Sequence, residues 1–137
     1  MDCLFCKIGN KAIPADVVYE DDQTVGVLDI NPKAPGHTVL MPKAHRETIL
    51  DMSEQELGPV FSSVKKVVKI LQETLSPHGF TIGINQGKAG GQTVDHLHIH
   101  VIPRFENDGG GSLHSVVDNR PSESQEAIAA KIREHNN

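Results

Sequence analysis

Three histidines alternate with apolar residues in His96-Leu97-His98-Ile99-His100-Val101-Ile102-Pro103, and two cysteines stand at Cys3 and Cys6. Side chains of an extended strand point to opposite faces in turn. His96, His98 and His100 therefore project from one face while Leu97, Ile99 and Val101 enter the core. Neighbours on the histidine face are about 6.5–7 Å apart, so the row covers about 13 Å, the scale of a phosphate chain or of two adjoining sites. With 8 histidines in 137 residues, a shuffled chain yields only about 0.03 such triplets. A solvated edge strand fits poorly, because the alternation beneath is strictly apolar. One metal held by all three is geometrically awkward, since the third residue in line lies far from the first. The third reading is catalytic: a neutral imidazole can attack an electrophile or carry protons at pH 7.

The cysteine pair has the spacing C-x-x-C. A redox role needs this motif where a strand feeds a helix, and only two residues precede Cys3. Two thiolates supply half of a tetrahedral zinc site, so the other half must come from elsewhere in the chain. Composition narrows the setting. The chain carries 13 Lys+Arg against 18 Asp+Glu, a net charge of −5, with 37% hydrophobic and 23% charged residues. This suits one globular domain able to bury roughly two-thirds of its unfolded surface. No apolar run approaches the ~18 residues of a membrane span, and residues 1–15 lack a signal peptide's apolar stretch, so the expected location is cytoplasmic, without a membrane partner. The acidic balance argues against long nucleic acids held by bulk charge, whereas a small anion needs only a local site.

The elements that must carry these residues follow from periodicity. Residues 3–9 read as a short helical turn ended by Gly9-Asn10. Val17–Glu20 and Thr24–Ile30 read as a hairpin around Asp21-Asp22-Gln23, and His37–Met41 as a third strand closed by Pro42. Ser53-x-x-Glu56 is a capping box opening the longest helix, to about Leu75, with Leu57, Val60, Phe61, Val64, Val67, Val68, Leu71 and Leu75 at helical spacing. Pro59 predicts a kink or a short lead-in turn there. Phe80–Asn85 and Thr93–Arg104 complete five strands, separated by a loop with Gly87, Gly90 and Gly91. Residues 106–121 read as a polar, glycine-rich loop, and Ser122–Glu134 as a short terminal helix. The expected fold is α+β: a mainly antiparallel five-stranded sheet, one long helix and short terminal helices.

The stretch from Asn85 through Gly87, Gly90, Gly91, Gln92 and Thr93 to His96-Leu97-His98-Ile99-His100-Val101-Ile102 resembles the histidine triad family of nucleotide-binding hydrolases and transferases, whose signature is His-φ-His-φ-His-φ-φ with φ apolar. The likeness extends to Cys3–Ile8, Ile13-Pro14, Asp29-Ile30 and His37–His45, so it covers residues 3–105. The expected organisation is a histidine triad domain over 1–105, with 106–137 as a glycine-rich loop and C-terminal helix of the same single domain.

The resemblance implies roles residue by residue. His98, the middle histidine, would be the nucleophile that attacks the α-phosphorus of a nucleoside 5′-phosphoryl compound. A nucleotidyl-histidine forms, and water releases the monophosphate, AMP or GMP. His100 would contact the phosphate and His37 would support the nucleophile. Asn85, Gln92 and Thr93 would line the phosphate, and Asp29 would bond the ribose hydroxyls. Leu4, Phe5, Ile8, Val27 and Ile30 would sandwich the purine. Family members with zinc hold it through an N-terminal Cys-x-x-Cys, the histidine of Pro-Lys-x-His and the first triad histidine; here those are Cys3, Cys6, His45 and His96. Such a closed Cys₂His₂ set is structural, and the chemistry needs no catalytic metal. The family commonly dimerises through the long helix and sheet edge, so a homodimer is expected. The reaction expected is hydrolysis of a nucleoside phosphoramidate or related nucleotidyl compound. The ending Ile102-Pro103-Arg104 departs from the phosphoramidase branch, which has glycines there, and this keeps dinucleoside polyphosphates open as substrates. A nucleotide-binding regulatory protein with little turnover is the reading from another class.

Overall fold

The computed structural model describes residues 2–136. Five strands, β1 (Val17–Glu20), β2 (Thr24–Leu28), β3 (Thr38–Pro42), β4 (Gly79–Gly83) and β5 (Ile99–Arg104), pair antiparallel in the order β1-β2-β3-β5-β4. The helices are α1 (Leu4–Gly9), α2 (Glu54–Leu75) and α3 (Gln125–Asn136). This is the expected α+β architecture.

The sheet has two differently covered faces because its strands alternate. On one face Leu40, Leu97, Ile99 and Val101 pack against Val60, Val64, Val67 and Leu71 of α2. The other carries a smaller core in which Val25, Val27, Val39 and Met41 meet Ile8 of α1. Val39 is paired with His100, and paired residues share a face, so the histidines project on the α1 side. That side is only partly roofed by the short α1, which leaves room for a ligand.

α2 begins where expected. Ser53 Oγ accepts the Glu56 N–H at 3.3 Å, and the helix continues unbroken through Pro59. The kink expected at Pro59 is not needed for continuity, since a proline in the second turn deletes a single backbone bond. At its far end α2 presses on the turn into β3. Gly36 has φ +84°, the left-handed region that favours glycine, and a side-chain carbon there would also press on the end of the Leu75 side chain.

Three expectations shift. β5 begins at Ile99 rather than Thr93, because the Leu97 N–H bonds the Arg46 carbonyl at 2.6 Å instead of a sheet neighbour. His96 and His98 therefore precede the regular strand, although alternation still buries Leu97. β4 ends at Gly83, before Asn85. After β5, the Arg104 guanidinium clasps Asp108 through two bonds of 2.7 and 3.0 Å and donates to Gly111 O at 2.7 Å, tying down the start of the glycine-rich loop. α3 starts at Gln125, where Ser124 Oγ accepts the Ala127 N–H at 3.1 Å, and it buries no residue.

Candidate active site and metal cluster

Backbone groups fix the protonated nitrogen of each histidine in turn. His98 Nδ1 lies 2.8 Å from the His96 carbonyl oxygen, which can only accept, so Nδ1 carries the proton and Nε2 keeps its lone pair. The Lys33 backbone N–H can only donate, and it meets His37 Nδ1 at 3.1 Å. A neutral His37 thus carries its proton on Nε2, which donates to His100 Nδ1 at 2.9 Å. His100 in turn presents an Nε2–H. One face therefore offers a bare nitrogen from His98 and a donor from His100, the two rings packed edge to face at 5.1 Å.

Burial disfavours the charged forms of His37 and His100. It pushes the His37 imidazole below its ordinary value, against the opposing pull of Asp29. It also pushes His100 down, with the His98 and His37 rings adding to the effect. Asp29 divides its carboxylate between two tasks. Oδ1 accepts the Asn31 N–H at 2.8 Å and shapes the turn, while Oδ2 faces His37 Nε2 at 3.5 Å and His100 Nδ1 at 3.9 Å. Oδ1 thus serves the turn, and Oδ2 is left facing the two histidines.

The loop expected to line a phosphate is braced from within. Gln92 Oε1 accepts the Gly87 N–H at 2.9 Å, and its Nε2 donates to Glu47 O at 2.8 Å and Val94 O at 3.0 Å. Gln92 thereby positions the loop, whereas Asn85 and Thr93 are exposed beside it. Gly91 takes φ +96° with Asn85 against it, a conformation that suits glycine. Of the residues expected around a base, Phe5 packs its ring at 4.9 Å from His98. Ile8 and Val27 lie in the small core, Leu4 is exposed, and Ile30 stands out at 88% exposure.

Cys3, Cys6, His45 and His96 form the second cluster, with all four ligand atoms within 4.8 Å of one another. Cys3 Sγ is 3.4 Å from His96 Nδ1, Cys6 Sγ is 3.5 Å from the same atom, and Cys6 Sγ is 3.3 Å from His45 Nδ1. A tetrahedron with Zn–S of ~2.3 Å and Zn–N of ~2.05 Å has S···N edges of about 3.6 Å, so the donors already sit near that spacing. His96 Nε2 donates to the Pro42 carbonyl at 2.7 Å, which turns its Nδ1 lone pair toward the thiols, as backbone carbonyls behind zinc ligands do. Burial and the neighbouring Cys3 push the Cys6 thiol up, so its thiolate calls for a cation. The donor set fits zinc.

The groups that sequence reading missed are main-chain ones: the Lys33 N–H and the carbonyls of Pro42 and His96. Every residue has such groups, so no residue type marks them.

A row of alternating histidines on an antiparallel α+β sheet, with a Cys₂His₂ cluster at its start, defines the class of protein. The chain belongs to the HIT domain family, whose profile matches residues 10–107. It is 48% identical over 107 residues to an uncharacterized HIT-like protein of Methanocaldococcus jannaschii, covering 78% of this chain and 82% of that one. It is 36% identical over 107 residues to the adenylylsulfatase HINT3 of Arabidopsis thaliana, covering 78% of this chain and 54% of that longer protein. Among solved structures, a HIT family protein of Bacillus subtilis superposes with TM-score 0.86 at 32% identity, covering 98% of this chain and 96% of that one. A Zn-bound histidine triad family protein of Mycobacterium smegmatis gives TM-score 0.74 at 32% identity over 98% of each chain. The family match begins at residue 10, so Cys3 and Cys6 lie upstream of it while His45 and His96 lie within it.

Proposed function

We propose that this protein is a purine nucleotide-binding hydrolase that cleaves nucleoside 5′-phosphoramidates or related nucleotidyl compounds through a nucleotidyl-His98 intermediate. The observation that carries the reading is the tautomer of His98, whose Nδ1–H is given to the His96 carbonyl so that Nε2 is the free nucleophilic nitrogen. His98 Nε2 forms a bond to the α-phosphorus as the bond to the leaving group breaks. The His100 Nε2–H hydrogen-bonds a phosphoryl oxygen, its ring held by the 2.9 Å contact from His37, and the leaving group takes its proton from water. Water then attacks the phosphorus, the P–N bond breaks, and AMP or GMP departs with His98 restored.

Around this chemistry Asp29 holds the ribose, Asn85 and Thr93 meet the phosphate on the loop that Gln92 braces, and Leu4, Phe5, Ile8, Val27 and Ile30 bound the base. Cys3, Cys6, His45 and His96 hold a structural zinc, which ties the N-terminal helix to the segment bearing His98. The adenylylsulfatase of Arabidopsis supports the hydrolase reading, and the Zn-bound protein of Mycobacterium smegmatis supports the zinc. The whole of 1–137 works as one domain. It works as a homodimer: Phe61, Ile70 and Leu75 of α2 and Ile82 of edge strand β4 leave apolar surface open. No helix among the described residues is long and apolar enough to cross a membrane. The two free thiols suit the reducing cytoplasm.

The test is incubation with a labelled adenosine phosphoramidate and, in parallel, a dinucleoside polyphosphate, comparing the wild type with His98→Ala. Turnover with an acid-labile protein-bound label in the wild type alone is expected. Equal turnover by the variant would remove His98 as nucleophile. Faster cleavage of the dinucleoside compound would reassign the leaving group.

A further inference from the structure

The peptide unit between His96 and Leu97 is held from both ends. At one end the Leu97 N–H donates to the Arg46 carbonyl at 2.6 Å. At the other, the His96 carbonyl oxygen accepts the Nδ1–H of His98 at 2.8 Å. A trans peptide is planar and its N–H and C=O point in opposite directions, so aiming one aims the other. The place of the Arg46 carbonyl therefore decides where the acceptor for His98 points. It also strengthens that acceptor, because hydrogen bonds in series polarise one another.

Arg46 has its own anchor, and it lies on α2. The guanidinium meets both oxygens of Glu56, Nε to Oε2 and Nη2 to Oε1, each at 2.9 Å. Its Nη1 donates to the His45 carbonyl at 3.0 Å. A planar fork bound at two points is fixed in orientation as well as in place. Glu56 is the acid of Ser53-x-x-Glu56, where the capping pattern assigns it to the helix start. Ser53 Oγ does accept the Glu56 N–H, but both carboxylate oxygens are turned to Arg46.

We propose that Arg46 and Glu56 are positioning residues for His98. The clasp between them sets the His96–Leu97 peptide, and through it the ring that bears the nucleophilic nitrogen. The proposal rests on the hydrolase reading with His98 as nucleophile, and it adds a lever that starts on α2, the helix covering the opposite face of the sheet. An ion pair with 32% and 31% of its side chains open to water adds little to stability by itself. Its effect should therefore appear in catalysis rather than in melting.

The test compares the full chain with Glu56→Gln, Arg46→Lys, Arg46→Ala and the double variant of Arg46→Ala with Glu56→Gln. On adenosine phosphoramidate, kcat should fall about fivefold for Glu56→Gln and about 30-fold for Arg46→Ala, with KM within about twofold, since a misplacement of about 1 Å costs up to about 10²-fold. Arg46→Lys, which keeps the charge and one bond, should recover part of the loss. The double variant should stay within about twofold of Arg46→Ala, because both residues act through one contact. Nitrogen-15 spectra, which need no turnover, should show the His98 Nδ1–H signal displaced in Glu56→Gln and Arg46→Ala. Zinc content and thermal midpoint should stay at the wild-type values. Glu56→Gln keeps the size of the side chain and one acceptor, so it tests the clasp even where Arg46→Ala melts early.

Full kcat and an unmoved His98 signal in both single variants overturn the proposal. Losses that multiply in the double variant overturn it too, as does a fall in kcat that follows loss of zinc, which would place the effect at His45. Equal turnover by the wild type and His98→Ala overturns the hydrolase reading instead, and the His98 spectra alone then decide whether the clasp positions the ring.

Discussion

His98 Nδ1 lies 2.8 Å from the carbonyl oxygen of His96, and this one contact joins the Cys₂His₂ cluster to the proposed nucleophile. The His96 side chain faces the thiols while its main chain orients His98, so any shift of residue 96 turns the reactive ring. The proton assignment is directly measurable. Nitrogen-15 spectra at neutral pH should show His98 as the Nδ1–H tautomer and His37 and His100 as Nε2–H. Replacing His98 by alanine should lower turnover by about 10³-fold or more, as loss of a nucleophile does elsewhere. An Nε2–H tautomer at His98 would contradict the mechanism whatever the variant does.

Zinc binding should be visible in composition and in stability together. About one zinc per chain is expected after purification without added metal. Cys6→Ala should lose it and lower the thermal midpoint by about 10 °C or more, since structural zinc contributes directly to folding free energy. The His98 resonances should move in that variant although its own contacts are untouched. A metal-free wild type that melts identically with and without chelator would eliminate the site.

How much of this was legible in the sequence depended on whether side chains or main chain carried it. The alternation of Leu97, Ile99 and Val101 predicts which way His100 points, and the α2 stripe predicts the core that lies behind it. Alternation could not show that His96 and His98 precede the strand, because the cause is a bond from Leu97 N–H to the carbonyl of Arg46, far away in sequence. Asp29 reads equally as a turn former and as a site acid, and the structure uses both oxygens. Gln92 reads as a phosphate ligand, yet its amide is occupied in holding its own loop. The tautomer-setting groups are backbone atoms, which no residue type announces.

The buried histidines set a direction for the pH dependence of stability. Burial holds His37 and His100 below the ordinary value of 6.5, so below that pH the unfolded chain binds protons that the folded chain does not. Stability should therefore fall as pH drops from 6.5 and level off only once the folded-state values are passed. Asp29 opposes the shift at both residues, Lys33 reinforces it at His37, and the His98 ring reinforces it at His100. Urea midpoints measured from about pH 7.5 to 5 should show a shallower fall for His100→Gln than for the wild type. The difference between the two curves removes the shared contribution of the zinc ligands. Parallel curves would mean that His100 is not held neutral by the fold.

Asp29→Asn separates ribose binding from support of the histidines. Asparagine keeps an oxygen for the Asn31 N–H, now 2.8 Å from Oδ1, so the turn should persist. It loses the charge and one of the two acceptors that a cis-diol would use. A hydrogen bond to a charged group is worth about 1.5–3 kcal/mol, which corresponds to roughly 10–150-fold in KM for a ribonucleotide substrate. kcat should change little if the ribose contact is equally strong in ground and transition states. A 2′,3′-dideoxy analogue, which has no diol to lose, should have the same KM with the variant as with the wild type. Equal losses on both substrates, with kcat falling, would instead place Asp29 with His37 and His100, 3.5 and 3.9 Å from its Oδ2, as a group that orients them.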